Sequence, residues 1–194
     1  MPLYVVFIDF SKAFDTVSRQ GLWYVLKKFG CPEKFINLIK ALHNGMQANV
    51  SMCNTQSKNF KISNGVKQGC VLAPTLFSFN LSAMLEVAFK DSTEGVYILT
   101  RRNANLFNVS HFKAKTKSSL KIVREMLFAD DSALVAHSAT DMQKLVNAFS
   151  SAAAQFSLKI NSKKTECLYQ PLSVHAQPSD MRINDEPNAR SSHI

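Results

Sequence analysis

No apolar run in this 194-residue chain reaches the ~18 residues that a membrane-spanning helix needs. The apolar N-terminal run, Leu3 to Ile8, is stopped by Asp9, has no basic lead, and is too short for a secretory signal. Cysteine pairs are also missing. Cys31, Cys53, Cys70 and Cys167 form no C-x-x-C, and no His stands at zinc-ligand spacing from them. Such scatter predicts four reduced thiols in an intracellular protein, in cytoplasm or nucleus, not secreted and not inserted in a membrane. There are no internal repeats. Acids are scarce: 14 Asp and Glu stand against 23 Lys and Arg, a formal net charge of +9. With a pI near 9.5, the chain repels bases and attracts polyanions. Nucleic acid therefore heads the partner classes, with an anionic membrane surface second.

What is present is enough for a core. Hydrophobic residues make up 46% and charged residues only 19%, which excludes a disordered chain by composition. Leu3 to Phe10 reads as a buried strand. A helix is expected from Ser18, with Leu22, Val25, Leu26 and Phe29 on one face and Gly30 as its stop. Pro32 opens a second helix, striped by Phe35, Ile36, Ile39 and Leu42 and ended by Gly45. Gln47 to Cys53 and Lys58 to Ile62 suggest a hairpin around Asn54 and Thr55. A polar glycine-bearing loop, Ser63 to Gly69, leads to an apolar helix from Pro74 to about Phe89. Val96 to Leu99 is a strand candidate.

Thr100 to Ser119 then carries five bases and no acid. Leu120 to Phe128 and Ser132 to His137 flank Asp130 and Asp131, a tight hairpin with acids at its turn. Met142, Leu145, Val146, Phe149, Ala153 and Phe156 fall at helical spacing behind a Ser138–Asp141 capping box. Lys159 to Ile160 and Glu166 to Tyr169 are short strand candidates. The pattern predicts an α+β fold over residues 1–170 and a poorly ordered tail over 171–194.

Three acids then need a reason. Asp9 ends an apolar strand, and Asp130 and Asp131 tip an apolar hairpin. Burying a carboxylate costs several kcal/mol unless it is paired or binds a metal. Two strands side by side would bring Asp9 and Asp130 together, and a divalent cation would remove their repulsion. Hard carboxylate oxygens beside phosphates suit Mg²⁺. Two such ions roughly 3.5–4 Å apart serve both oxygens of a phosphoryl transfer. The plain alternative is turn chemistry, since Asp bonds its own backbone in turns. Asp15 reads as a cap or turn acid, and Phe14, on its own, as a core aromatic.

The conjunction of motifs points further. The segment from Phe7 to Val17, Phe-Ile-Asp-Phe-Ser-Lys-Ala-Phe-Asp-Thr-Val, resembles the first palm motif of LINE-type (non-LTR retrotransposon) reverse transcriptases. Asn64 to Phe77 resembles their second, Phe128-Ala-Asp-Asp131 their third, and Leu158 to Glu166 their fourth, in the family's order. The resemblance implies a polymerase palm, an antiparallel sheet backed by helices, with part of the fingers over residues 18–75 and with the start of the fingers and the thumb missing. It implies that Asp9, Asp130 and Asp131, with the carbonyl of Phe10, hold two Mg²⁺ ions, Mn²⁺ being a possible substitute. It makes Phe14 the gate that favours deoxynucleotides. Gln68 and Gly69 become contacts to the incoming nucleotide and template, and Lys164 a proton donor to pyrophosphate. The implied partners are an RNA template, a DNA primer and dNTPs.

Ala73 departs from the family, standing where serine is common, so a hydroxyl is lost. Residues 181–186 faintly resemble the start of a primer grip. Two functions follow: template-directed DNA synthesis, or an inactive remnant that still binds nucleic acid. A metal-dependent phosphatase or nuclease ranks lower, because no water-activating group is evident and the Gln68 loop would go unexplained.

Overall fold

β-Branched and aromatic residues at Tyr4, Val5, Val6 and Ile8 make the N-terminal run a strand buried on both sides. The computed structural model describes residues 1–101 and 118–171, and beyond them only the backbone of three short strands. In chain order the elements are β1 (Leu3–Ile8), α1 (Ala13–Thr16), α2 (Arg19–Lys28), α3 (Glu33–His43), β2 (Gln47–Ala48), β3 (Ser51–Met52), β4 (Thr55–Gln56), β5 (Phe60–Lys61) and α4 (Ala73–Phe89). There follow β6 (Val96–Arg101), β7 (Ser118–Val123), β8 (Glu125–Phe128), β9 (Asp131–Ala136), α5 (Ala139–Gln155), β10 (Glu166–Gln170), β11 (Arg182–Ile183), β12 (Glu186–Pro187) and β13 (Ser191–His193). The chain divides into two compact units. The first is Met1–Asp9, Asp91–Ala148 and Asn161–Ile194, and the second is Phe10–Lys90 and Phe149–Ile160.

The first unit is built on a five-stranded sheet in the order β13-β10-β1-β9-β8. β1 runs antiparallel to β9 and to β10, with Val6 opposite both Leu134 and Cys167. Side chains alternate across the pleat. One face therefore holds Tyr4, Val6, Ile8, Leu134, Ala136, Cys167 and Tyr169, all buried. Tyr4 and Tyr169 meet on it with ring centroids 4.6 Å apart. On the other face Val5, Ala133 and Val135 are buried with Val96 and Val123 of the β6–β7 hairpin packed on them. Each fully buried aliphatic chain stabilises by roughly 1.5–3 kcal/mol, so both faces fix the strand. The cover stops short of the other end of this face: Phe7, Met126 and Phe128 are exposed there.

In the second unit the apolar stripes of three helices meet. Leu22, Val25 and Leu26 of α2, Ile36 and Ile39 of α3, and Leu76, Phe77, Leu81 and Met84 of α4 are buried. α2 packs against both α3 and α4. Ser18 caps α2 by accepting from the Gly21 N–H at 3.3 Å. Phe10 stacks on Phe149 with centroids 5.8 Å apart, and Phe89 approaches the same ring at 6.4 Å.

Several expectations change. Phe29, Phe35 and Leu42 were placed on buried helix faces and are exposed, while His43 is buried instead. The α3 stripe is narrower than its apolar spacing suggests, and Phe29 makes only an edge contact with Phe79 at 5.3 Å. The hairpin turns at Cys53 and Asn54, not Asn54 and Thr55. Both Cys53 and Asn54 have positive φ (48° and 61°), the pattern of a type I′ turn, and Thr55 already pairs with Met52. The apolar run Leu120 to Phe128 is two strands broken at Arg124, because β7 pairs with β6 and β8 with β9. A one-turn helix, α1, was not foreseen. The Ser138 cap is present: its hydroxyl donates to the Asp141 carboxylate at 2.8 Å and accepts the Asp141 N–H at 3.0 Å. The interior of the basic stretch, 102–117, and the tail after residue 171 lie outside the described residues, apart from β11 to β13.

The Ser92 hydroxyl donates to the Glu94 carboxylate at 2.8 Å, and Lys144 approaches it at 3.2 Å. Those bonds, with main-chain N–H groups, hold its pKa down to about 2. A carboxyl depressed on folding adds stability above its unfolded pKa and loses it as pH falls through the folded one. Thermal melts should therefore show this contribution fading between about pH 4.5 and 2. In Glu94→Gln that part of the acid slope should vanish, and an unchanged slope would sink the assignment.

Candidate active site

β1 and β9 set the geometry. Their last paired residues are Ile8 and Ser132, and one step further stand Asp9 and Asp131. Period-two alternation puts Phe7, Asp9, Asp131 and Ala133 on one face. Across the β8–β9 pair, Met126 lies opposite Ala133 and Phe128 opposite Asp131. Among the described residues, nothing covers this end of the sheet. A cleft of about 530 Å³ opens there, lined by Asp9, Asp131, Ser132, Lys164 and the apolar row Phe7, Met126 and Phe128. Phe128 is 82% exposed. Asp130 is half-buried in the turn before β9, where strand alternation no longer sets its direction, and it is not part of the lining.

Asp9 Oδ2 is buried, without a hydrogen bond, and lies 3.6 Å from the Lys164 ammonium. The Asp9 carbonyl accepts the Asn161 N–H at 2.8 Å. The Asn161 carbonyl in turn accepts from the Lys164 and Thr165 N–H groups at 3.1 and 3.0 Å. That turn is what delivers Lys164 beside Asp9. Among the described residues no three His, Cys, Asp or Glu side chains gather as a metal set. A buried carboxylate oxygen that has an ion pair but no hydrogen bond, in a cleft that Asp131 also lines, still fits a hard cation that keeps water or substrate oxygens in its shell. Ser132 adds a buried hydroxyl, also without a hydrogen bond, at the root of the cleft.

The other residues singled out from sequence, Phe10, Phe14, Gln68 and Gly69, belong to the second unit. Phe14 is half-buried, its ring 4.8 Å from that of Phe77. Gln68 and Gly69 form an exposed turn closed by the Cys70 N–H on the Lys67 carbonyl at 3.0 Å, with Gly69 at φ 84°. Two residues missed by sequence reasoning hold the loop before that turn. Gly65, at φ 78°, lies against the backbone of Phe14 and Asp15. An added Cβ would come within 2.6 Å of the Asp15 carbonyl oxygen. The Gly65 N–H donates to the Val17 carbonyl and the Val66 N–H to that of Phe14, both at 2.8 Å. Arg19 is the second. Its guanidinium donates to the carbonyls of Gly65 (2.8 Å), His43 (2.9 Å), Ile62 (3.1 Å) and Asn64 (3.2 Å), and to Met46 Sδ. Burial lowers its pKa from the ordinary value. The only available sign was a base in the first turn of α2, where a base is poorly placed for the helix dipole.

A sheet that is antiparallel except at its edge, where β13 runs parallel to β10, with an acid-lined cleft at one strand end and accompanied by helices, is a partial palm-type polymerase fold. Solved structures support that class. The chain is similar to telomerase from Candida albicans in complex with a TWJ fragment of telomeric RNA, with TM-score 0.60 and 12% identity, covering 94% of this chain and 28% of that one. Apo telomerase from Candida tropicalis, truncated from the C-terminal domain, gives TM-score 0.57 at 14% identity, covering 92% and 32%. Residues 2–179 match the family model "Reverse transcriptase (RNA-dependent DNA polymerase)", and the chain belongs to that family. Among curated proteins it is 26% identical over 161 residues to the Pol polyprotein of the type-2 retrotransposable element R2DM of Drosophila melanogaster. That match covers 83% of this chain and 13% of the relative. It is 40% identical over 72 residues to the RNA-directed DNA polymerase of the mobile element jockey of Drosophila funebris, covering 37% and 8%. The LINE-type assignment stands, and the chain spans a small part of each relative's length. Among the described residues no helix is long and apolar enough to cross a membrane.

Gly65→Ala should lower unfolding free energy by about 2–4 kcal/mol, from a strained φ plus a backbone clash. Gly69→Ala meets no atom within 4 Å and should cost only about 1 kcal/mol. Equal losses in urea titrations would refute the docking role of Gly65. Arg19→Lys cannot fork to four carbonyls and should cost about 2 kcal/mol, with a loss under about 0.5 kcal/mol counting against the clamp.

Proposed function

We propose that this chain carries out RNA-templated DNA synthesis, extending a DNA primer with dNTPs at the cleft of Asp9 and Asp131. The buried Asp9 oxygen, without a hydrogen bond and 3.6 Å from the Lys164 ammonium, carries the proposal. Asp9, Asp130 and Asp131, with the Phe10 carbonyl, would hold two Mg²⁺ ions, Mn²⁺ substituting. Bound there, the ions would stabilise charge on the attacking and leaving oxygens.

The remaining roles fall to side chains. The primer 3′-hydroxyl gives up its proton to solvent and attacks the α-phosphate in line, forming a P–O bond as the bond to pyrophosphate breaks. Lys164, 69% exposed at its side chain, protonates the leaving pyrophosphate. The apolar row Phe7, Met126 and Phe128 offers a surface for the sugar and base at the primer terminus. Phe14 excludes a 2′-hydroxyl, and Gln68 and Gly69 present main chain to nucleotide and template, where glycine permits close approach. Most of the acceleration is positioning and charge stabilisation.

Primer extension on poly(rA)/oligo(dT) with Mg²⁺ tests the proposal. Asp130→Ala should abolish incorporation while leaving template binding intact or tighter, since a negative charge is removed. Lys164→Ala should lower kcat by roughly 10²-fold or more with little change in KM. Extension untouched by Asp130→Ala would disprove the acid's role. Binding without extension in the unmodified chain would favour the inactive nucleic-acid-binding remnant.

A further inference from the structure

The second unit has a cavity that the acidic cleft does not use. About 450 Å³ in volume, it is lined by α2, α3, β5 and the segments beside them. That is within the range of pockets that bury a small ligand, roughly 300–1,000 Å³. No acid is among its lining residues. Lys40 comes from α3 and Lys61 from β5. Both are exposed, and neither makes a described ion pair. Trp23 lines it too, half-buried, its ring 5.7 Å from that of His43 in an edge contact. His43 is fixed in turn by Nδ1 on the Ile39 carbonyl at 2.8 Å.

Charge decides what fits. A helix C-terminus ordinarily disfavours an anion, and α3 ends in this cavity. Arg19 offsets that, since its guanidinium caps the His43 carbonyl there. Its donors are committed to carbonyls and Met46, so Arg19 supplies field and leaves the lysines to bind. Two exposed ammonium groups in a cavity that an aromatic ring also lines form a contact for phosphate next to a base. We propose that this cavity takes one nucleotide of single-stranded RNA, its phosphate between Lys40 and Lys61 and its base against Trp23. The site is independent of the proposed chemistry at Asp9.

Trp23 is the single tryptophan of the chain, so its emission reports on the cavity directly. Titration with a short oligo(U) at low salt should change that emission saturably, in step with the anisotropy of labelled RNA. Lys40→Gln/Lys61→Gln should weaken binding roughly tenfold and flatten the salt slope by about 1.4, two single-strand contacts at ~0.7 each. Lys34→Gln/Lys90→Gln, equal in charge but outside the cavity, should stay within about twofold of the unmodified chain on the same counterion reasoning. Asp130→Asn should keep the emission change, which separates this site from the acidic cleft. Silent Trp23 emission at saturating RNA, or equal losses in the two lysine pairs, would overturn the proposal. A response to UTP without one to oligo(U) would also overturn it, in favour of a free-nucleotide site.

Discussion

One register holds the acidic end of the sheet in place: Ile8 opposite Ser132. A slip of one residue would turn every β1 side chain to the other face. Asp9 and Phe7 would enter the core, and Tyr4, Val6 and Ile8 would be pushed onto the open face. The register resists this because both faces are loaded. Val6, Leu134 and Cys167 are buried on one, Val5 and Val135 on the other. Burial worth roughly 1.5–3 kcal/mol per side chain thus places two carboxylates side by side that would otherwise repel. The positions of the acids are a by-product of hydrocarbon packing a few residues away.

The acidic turn adds a local constraint. Phe128 pairs with Asp131, leaving Ala129 and Asp130 as a two-residue loop. Of these two only Ala129 has positive φ, 55°. Left-handed backbone costs an L-residue with a Cβ roughly 1–2 kcal/mol. The β8–β9 ladder and the buried β9 side chains are large enough to impose it. Strain of this kind concentrates at working turns, and here it fixes the backbone on which Asp130 rides.

Local chemistry was legible in the sequence, and tertiary docking was not. Asp9 at a strand end, the Asp130–Asp131 turn and the Ser138 cap depend on neighbours within a few residues, and composition exposes those. Arg19 contacts Gly65, 46 residues away, and nothing in the spacing of either residue hints at it. Gly65 looked like one loop glycine among several. Only the approach of Asp15 backbone separates it from Gly69, whose Cβ position is open. Arg124 breaks an apolar run that periodicity reads as continuous, because β7 and β8 have different partners. The exposed row Phe7, Met126 and Phe128 could have been found by stepping two residues back from Asp9 and Phe128, had the register been known.

Asp9 itself does not balance as a structural residue. Its Oδ2 is buried without a hydrogen bond, an omission that costs about 1–3 kcal/mol, more for a charged group. The nearby Lys164 is 3.6 Å away on a side chain 69% exposed, and such a pair returns only about 0–1 kcal/mol. An asparagine or serine at the end of β1 would avoid the deficit. A site that met a cation would supply the hydrogen-bond-free oxygen with a further partner on binding. The energetic shortfall at Asp9 is the observation on which the proposed cation site rests.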